Sequence, residues 1–528
     1  MLKRTTAAMA LLLGVGSLGL PVLASPSAGE LQRGRQDHLR RIMPMTSGAL
    51  SMRIAQRLEV GRLAGKALPT RFRTNGDVAA PTLVDVPVNN DPVEDTNEPS
   101  IGMNPRSPRT VVGFSHDLTQ DPCQYYTSTD GGLTWSAPIN APLLQGGDFC
   151  SDPVVRTSPD GEWFYLLYMS IRSDVSSSDI VVLRLSGDLS LVDGPHVAMD
   201  GAPDDLLDKP WMDTHKFDRS AAGNLYVTTT NFQGSGECDI VFARSTDYGL
   251  TWSPQETLGE SGGGCASPNV LQGSHPAGGL GGNVLVCWYH SESDGWYPGG
   301  GGPLFDIRCR NSADHGETFG GEVTAADNVL NEVGFWLCPD INYHRVWGAA
   351  MFPYVAIAPD GSAHVVFSSD PTLGESDGEC GNVRYTSSAA APYGTWTPLV
   401  DLGDSTNSFQ GFATLSVQHP RSGGLGCYLA LIYYDHLDSP PGDPNANLYF
   451  DVSRRTSNDC GVDWGPSIVV TGESSLSDFI FLGDYIDATS APRTGRIDLI
   501  WTDRRDKTDV MDLEDDVWSD RGAPPPLH

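Results

Sequence analysis

Acidic and aromatic side chains recur beside proline at wide intervals: Glu98 in EPSIGM, Asp152 in DPVVRT, Lys209, Trp211 and Asp213 in KPWMDT, and Tyr354 in FPYVAI. Asp484 and Tyr485, in GDYIDAT, continue the series without the proline. Brought together, carboxylates, phenols and an indole would make a polar cleft with an aromatic platform, which suits carbohydrate. Cleaving a glycosidic bond needs one acid to protonate the leaving oxygen and a second group to attack or to position water. The same carboxylates could instead form a solvated rim, or hold a structural Ca2+ between neighbouring segments. Either role requires a fold that closes sequence gaps of more than 50 residues.

A repeated turn points to that fold. The octet S-x-D-x-G-x-T-W at Ser128–Trp135 (STDGGLTW) returns as STDYGLTW at Ser245–Trp252, SADHGETF at Ser312–Phe319 and SNDCGVDW at Ser457–Trp464. Degenerate copies around Ser186 and Ser387 fill the two long gaps, leaving starts 58, 59, 67, 75 and 70 residues apart. The x-Pro segments share this period and read as first strands, since proline is tolerated where no ladder donor is lost. Each unit continues with a Gly/Asp turn such as SPDGEW, a hydrophobic second strand such as FYLLYM, a variable loop, a third strand, the octet and a short fourth strand. Four antiparallel strands per unit of about 60 residues are the signature of a β-propeller blade. The fold expected is all-β, a propeller of seven blades with six as the alternative. TLVDVPV, from Thr82, would supply the last blade's outer strand and close the ring.

With its four octets in register, the chain from about 81 to 510 resembles the sialidase-type proteins of the bacterial neuraminidase (Asp-box) repeat superfamily. That superfamily spans sialidases, other glycosidases, lyases and non-enzymatic receptors, so the resemblance implies a fold more firmly than an activity. In a sialidase a tyrosine is the nucleophile, a carboxylate activates it, an aspartate is the acid/base and three arginines grip the substrate carboxylate. Carried over, this implies Tyr485 or Tyr354 as nucleophile, Glu98 or Asp484 as activator and Asp152 or Asp213 as acid/base. Arg172, Arg345 and Arg504 would bind substrate, with Lys209, Trp211 and Tyr354 beside them. The chain departs from the pattern in having no F/Y-R-I-P motif, and no strand head is an arginine; NEPSIGMNP, at the matching place, is acidic. The octet aspartates Asp130, Asp247, Asp314 and Asp459 are expected to bond their own turns, because a ring needs every turn whereas an active site is built once.

The octets join third to fourth strands at one face, so first-strand heads and the variable loops gather at the other. The cysteines follow this geometry. Cys123–Cys150 and Cys238–Cys265 have the same spacing and join third-strand starts to first-strand starts, as does Cys338–Cys380. Cys287–Cys309 would link neighbouring second and third strands, and Cys427–Cys460 a second strand to an octet. Other connectivities remain open to ten cysteines. No C-x-x-C occurs, so neither a metal cluster nor a cofactor is expected.

The ends and the charge place the protein. A basic Met1–Arg4, an apolar run to Leu23 and small residues at Val22 and Ala24, three and one before the cut, make residues 1–24 a signal peptide, so the protein is expected to be secreted or periplasmic. Residues 25–80 form a basic extension or pro-segment with ten Lys/Arg and four Asp/Glu, ahead of the propeller at 81–528. The rest holds 22 basic and 62 acidic residues, which argues against nucleic acid and anionic membrane as partners. A monomer that hydrolyses glycosidic bonds in a carbohydrate or glycoconjugate is the expectation, with a non-catalytic carbohydrate- or protein-binding propeller as the alternative.

Overall fold

The structure is a computed structural model that describes residues 85–89, 95–146, 148–262, 269–291, 304–330, 352–369, 381–403, 410–419, 426–436, 449–476, 482–490, 496–505 and 515–522, with residues 36, 37, 39, 264 and 265. The leader, most of the basic extension, Arg345, Cys338 and Cys380 lie outside the described residues.

Seven antiparallel sheets succeed one another along the chain. Their inner strands are Thr96–Met103, Phe149–Thr157, Leu206–Thr214, Leu271–Gly278, Tyr354–Ile357, Gln410–Gln418 and Asp487–Ser490, numbered here as blades one to seven. The ring closes as the sequence predicts: Asp85–Asn89 lies outside the last blade, antiparallel to Asp516–Gly522. Among the described residues no helix is long and apolar enough to cross a membrane.

Each octet behaves as a structural turn. Asp130 Oδ1 accepts from Ser128 Oγ at 2.8 Å and from the Leu133 and Thr134 amides at 3.0 Å, while Oδ2 accepts from Thr134 Oγ1 at 2.7 Å. Asp247 and Asp314 repeat the pattern, and Asp459 repeats much of it. Gly132 and its counterparts Gly249, Gly316 and Gly461 sit at positive φ, which glycine adopts without a steric cost. The closing aromatic covers the preceding blade. Trp135 Nε1 bonds Ser519 of blade seven, Phe319 packs edge-on against Phe242 of blade three, and Trp464 against Tyr385 of blade five.

Three of the x-Pro dipeptides do not start their strands but lie inside them, at bulges where two residues of the inner strand skip a partner: Glu98-Pro99, Asp152-Pro153 and Lys209-Pro210. Phe352-Pro353 stands directly before its strand, Tyr354–Ile357, as expected. A bulge leaves a residue unpaired, so the missing proline donor costs nothing there. Gly273 and Phe412 hold the matching places in blades four and six. Glu98, Asp152, Lys209, Gly273 and Phe412 all have φ between 51° and 62°.

Four of the expected disulfides are present: Cys123–Cys150, Cys238–Cys265, Cys287–Cys309 and Cys427–Cys460. The first two brace the face opposite the octets, where the bulges lie.

Candidate functional site

The bulges set three levels along the axis of the ring. At the first are the residues with left-handed backbone, which stand at the head face. Glu98, Asp152 and Asp484, from blades one, two and seven, bring carboxylate oxygens within 4.8 Å of one another, all buried. Lys209 Nζ lies 3.7 Å from Asp152 Oδ1 and 3.6 Å above the centre of the Tyr485 ring. Glu98 Oε1 accepts the Asp484 amide proton at 3.2 Å, which ties blade one to blade seven. His116 stands behind, 3.9 Å from Glu98.

Two residues further along, the strands contribute an aromatic level. The Trp211 ring lies 4.9 Å from His275, 5.8 Å from Tyr354 and 5.2 Å from Tyr485, and His275 lies 4.2 Å from Tyr354. These residues come from blades three, four, five and seven, so their contacts cross the axis and plug it. Burial pushes the Tyr485 phenol far above its ordinary range, reinforced by the charges of Glu98, Asp152 and Asp487. Its hydroxyl donates to the Pro153 carbonyl at 2.8 Å, not to a carboxylate. Burial, with Arg156 and Lys209 nearby, keeps the His275 imidazole neutral.

The third level lies below the plug. Arg156 donates to Asp487 Oδ2 at 2.9 Å and to the Tyr354 hydroxyl at 3.1 Å, and its Nε lies 3.9 Å from Asp213 Oδ1. Lys216 Nζ donates to the Val417 carbonyl and to Ser490 Oγ, both at 2.9 Å. Burial raises the Asp213 carboxyl above its ordinary range, and it lowers Lys216 to about 8.

A cavity opens on either side of the plug. The head-face one, about 420 Å³ with its open mouth, is bordered by Lys209, Trp211, Phe352, Phe412, Asp484 and Tyr485. The other, about 790 Å³ on the same measure, reaches the octet face past Pro105, Pro159 and Phe217.

The predicted residues therefore separate. Glu98, Asp152, Lys209, Trp211, Asp484 and Tyr485 converge at the head face. Asp213 faces the opposite cavity instead, four residues beyond the Lys209 bulge, and Tyr354 borders both cavities. Arg172 is held by Asp148 and Asp179 at 2.8 and 2.6 Å, Arg504 by Asp515 at 2.9 Å, and neither borders either cavity. Arg156, Lys216, His275 and Asp487 were missed. The repeat held a signal for two of them: Arg156 stands four residues beyond Asp152, and Asp487 four beyond Gly483, as Asp213 does beyond Lys209.

The three head-face carboxylates are the hard oxygen donors that a Ca2+ ion takes. Yet Lys209 already brings positive charge to Asp152, and an ammonium beside a divalent ion would repel it. The set fits the lysine better than an ion.

Residues 126–137 match the BNR/Asp-box repeat family. The chain is a seven-bladed propeller that carries an Asp-box repeat. No curated protein matches it. Among solved structures, an α-L-arabinofuranosidase from Fusarium graminearum is 13% identical, covering 72% of this chain and 98% of its own, at a TM-score of 0.45. A Hadza microbial sialidase is 14% identical, over 79% of this propeller chain and 74% of its own, at 0.42. A PL25 ulvan lyase is 11% identical, over 82% and 95%, at 0.46.

Proposed function

We propose that this propeller is a glycoside hydrolase whose acid–base centre is the head-face trio of Glu98, Asp152 and Asp484. The observation that carries the reading is their convergence within 4.8 Å from three blades, beside a cavity walled by Trp211 and Tyr485. Asp484 borders that cavity and is the proton donor to the leaving oxygen. Asp152, beside Lys209, is the second carboxylate, and Glu98 positions Asp484 through its backbone amide. With one oxygen of each carboxylate within 4.8 Å of the others, little room is left for the water that an inverting site holds between its carboxyl groups, which favours a retaining course. Tyr485 is the aromatic floor and not the nucleophile, because its hydroxyl is spent on a backbone carbonyl. Sialosides are not the expected substrate, since Arg172 and Arg504 are both engaged by carboxylates. Export after cleavage near Ala24 belongs to the same reading, supported by four disulfides.

The test is a screen of purified mature protein against neutral, acidic and sialylated glycans, read by product formation and anomeric NMR. Asp484→Asn is expected to lower kcat/KM by at least about 100-fold with an unchanged melting temperature, and the wild type to give the retained anomer. Turnover surviving in both Asp484→Asn and Asp152→Asn overturns the assignment. The deep burial of Glu98 and Asp152 favours a second reading, a binding propeller without turnover. Glycans would then raise the melting temperature and yield no product.

A further inference from the structure

The cavity on the octet face is not used by the reading above, and its walls are chemically specific. Contacts that bound it join non-adjacent blades: Arg156 of blade two reaches Asp487 of blade seven and Tyr354 of blade five, and Lys216 of blade three reaches Val417 and Ser490 of blades six and seven. It therefore lies on the axis, walled off from the head face by the aromatic plug.

The hydrogen bonds leave a defined remainder. An ammonium has three donors, and Lys216 uses two of them. Arg156 has five, and three go to the Val155 carbonyl, Asp487 and Tyr354. Asp213 Oδ2 accepts the Gly278 amide proton at 3.0 Å, Oδ1 lies 3.9 Å from Arg156 Nε, the Thr214 amide also bonds the carboxylate, and the side chain is 22% exposed. At the cavity's inner end His275 is 4% exposed and neither ring nitrogen makes a well-formed hydrogen bond, the Pro276 backbone being the polar group beside it, an arrangement that a polar ligand would improve. Phe217 and Tyr354 add apolar ring surface.

Donors from two cations, an acceptor from a carboxylate and flat apolar walls favour a ligand whose groups both donate and accept. A hydroxyl does both. An anion would face Asp213 and Asp487, and a chain of net charge −32; a cation would face Arg156 and Lys216. The enclosed part of the space is about 80 Å³ and the rest is open to solvent at the mouth, so one ring can enter while a second would stay in the mouth. We infer that the octet face of the channel holds a second binding site, for a neutral sugar of one or two residues, contacted by Lys216, Arg156, Asp213 and His275.

The site should weaken as pH rises through about 8, where Lys216 loses its charge; burial lowers it to this value, with Arg156 acting the same way and the charges of Asp213 and Asp487 opposing. The experiment is titration of the full-length protein with D-glucose, D-galactose, L-arabinose and their disaccharides, followed by calorimetry and by saturation-transfer NMR. Dissociation constants in the millimolar range are expected, unchanged in Asp484→Asn and weakened at least tenfold in Lys216→Met. Asp213→Asn, a near-isosteric change, should also weaken binding and serves if Lys216→Met does not fold. Affinity untouched by both changes, glucuronate binding as tightly as glucose, or no binding at concentrations on the order of 100 mM each overturns the inference.

Discussion

Among single residues, one type of side chain does two unrelated jobs here, and its surroundings decide which. The octet carboxylates are spent on their own turns, and the hydroxyl and amide bonds of Thr134, Ser128 and Leu133 hold the Asp130 carboxyl down to about 2. Asp314 is held down to about 2 in the same way. A depressed folded value means that this contribution is complete above the unfolded value near 4 and is lost as pH falls through about 2. Asp130→Ala should therefore destabilise by about 1–2 kcal/mol, as loss of a multiply bonded cap does, checked by urea unfolding at neutral pH. The mutant's deficit should shrink towards pH 2. The head-face carboxylates belong to no octet turn, although Asp152 accepts from Ser151 Oγ at 2.9 Å, and Glu98, Asp152 and Asp484 were legible in the sequence for that reason: they recur in the repeated segments outside the turns. Arg156, Lys216 and Asp487 were not legible. Their partners lie on non-adjacent blades, and nothing in a linear pattern records which blades face each other across an axis.

Among elements, the inner-strand bulge is what aims the site. Where the structure holds a non-glycine residue at positive φ, the strain is roughly 1 kcal/mol or more per position, and Glu98, Asp152 and Lys209 all carry it at the candidate centre. The sequence announced these bulges through proline, though as strand starts, because a proline without a ladder donor looks the same at either place. Blade four shows the constraint most sharply. Gly273 has φ +62°, and a Cβ there would meet the Phe352 ring at 2.2 Å. Gly273→Ala should cost about 2–3 kcal/mol from strain and overpacking together. It should also push Phe352 into the head-face cavity, which both residues border. A thermal melt reads the first effect, and loss of glycan turnover without any change in Asp484 reads the second.

The whole molecule depends on closing the ring, which the sequence disclosed through its octet spacing and a spare strand at Thr82. The electrostatics of that closure were hidden. Asp85 of the closing strand lies directly opposite Asp520. Asp85 is paired with Arg505 and accepts the Gly472 amide proton. Asp520 is raised to about 8, first by burial and then by the charges of Asp85 and Asp498, with Arg454 opposing. An acid whose folded value lies above its unfolded value near 4 takes up a proton on folding between the two. Its contribution is complete below about pH 4 and is lost as pH rises through about 8, so the seam should loosen in mild alkali. Asp520→Asn keeps the shape and removes the charge. It should raise the melting temperature at pH 9 relative to wild type and flatten the decline between pH 5 and 9, with hydrogen exchange at Asp516–Gly522 slowed in alkali. If wild type and mutant lose stability in parallel over that range, the Asp85–Asp520 seam is not what weakens the ring.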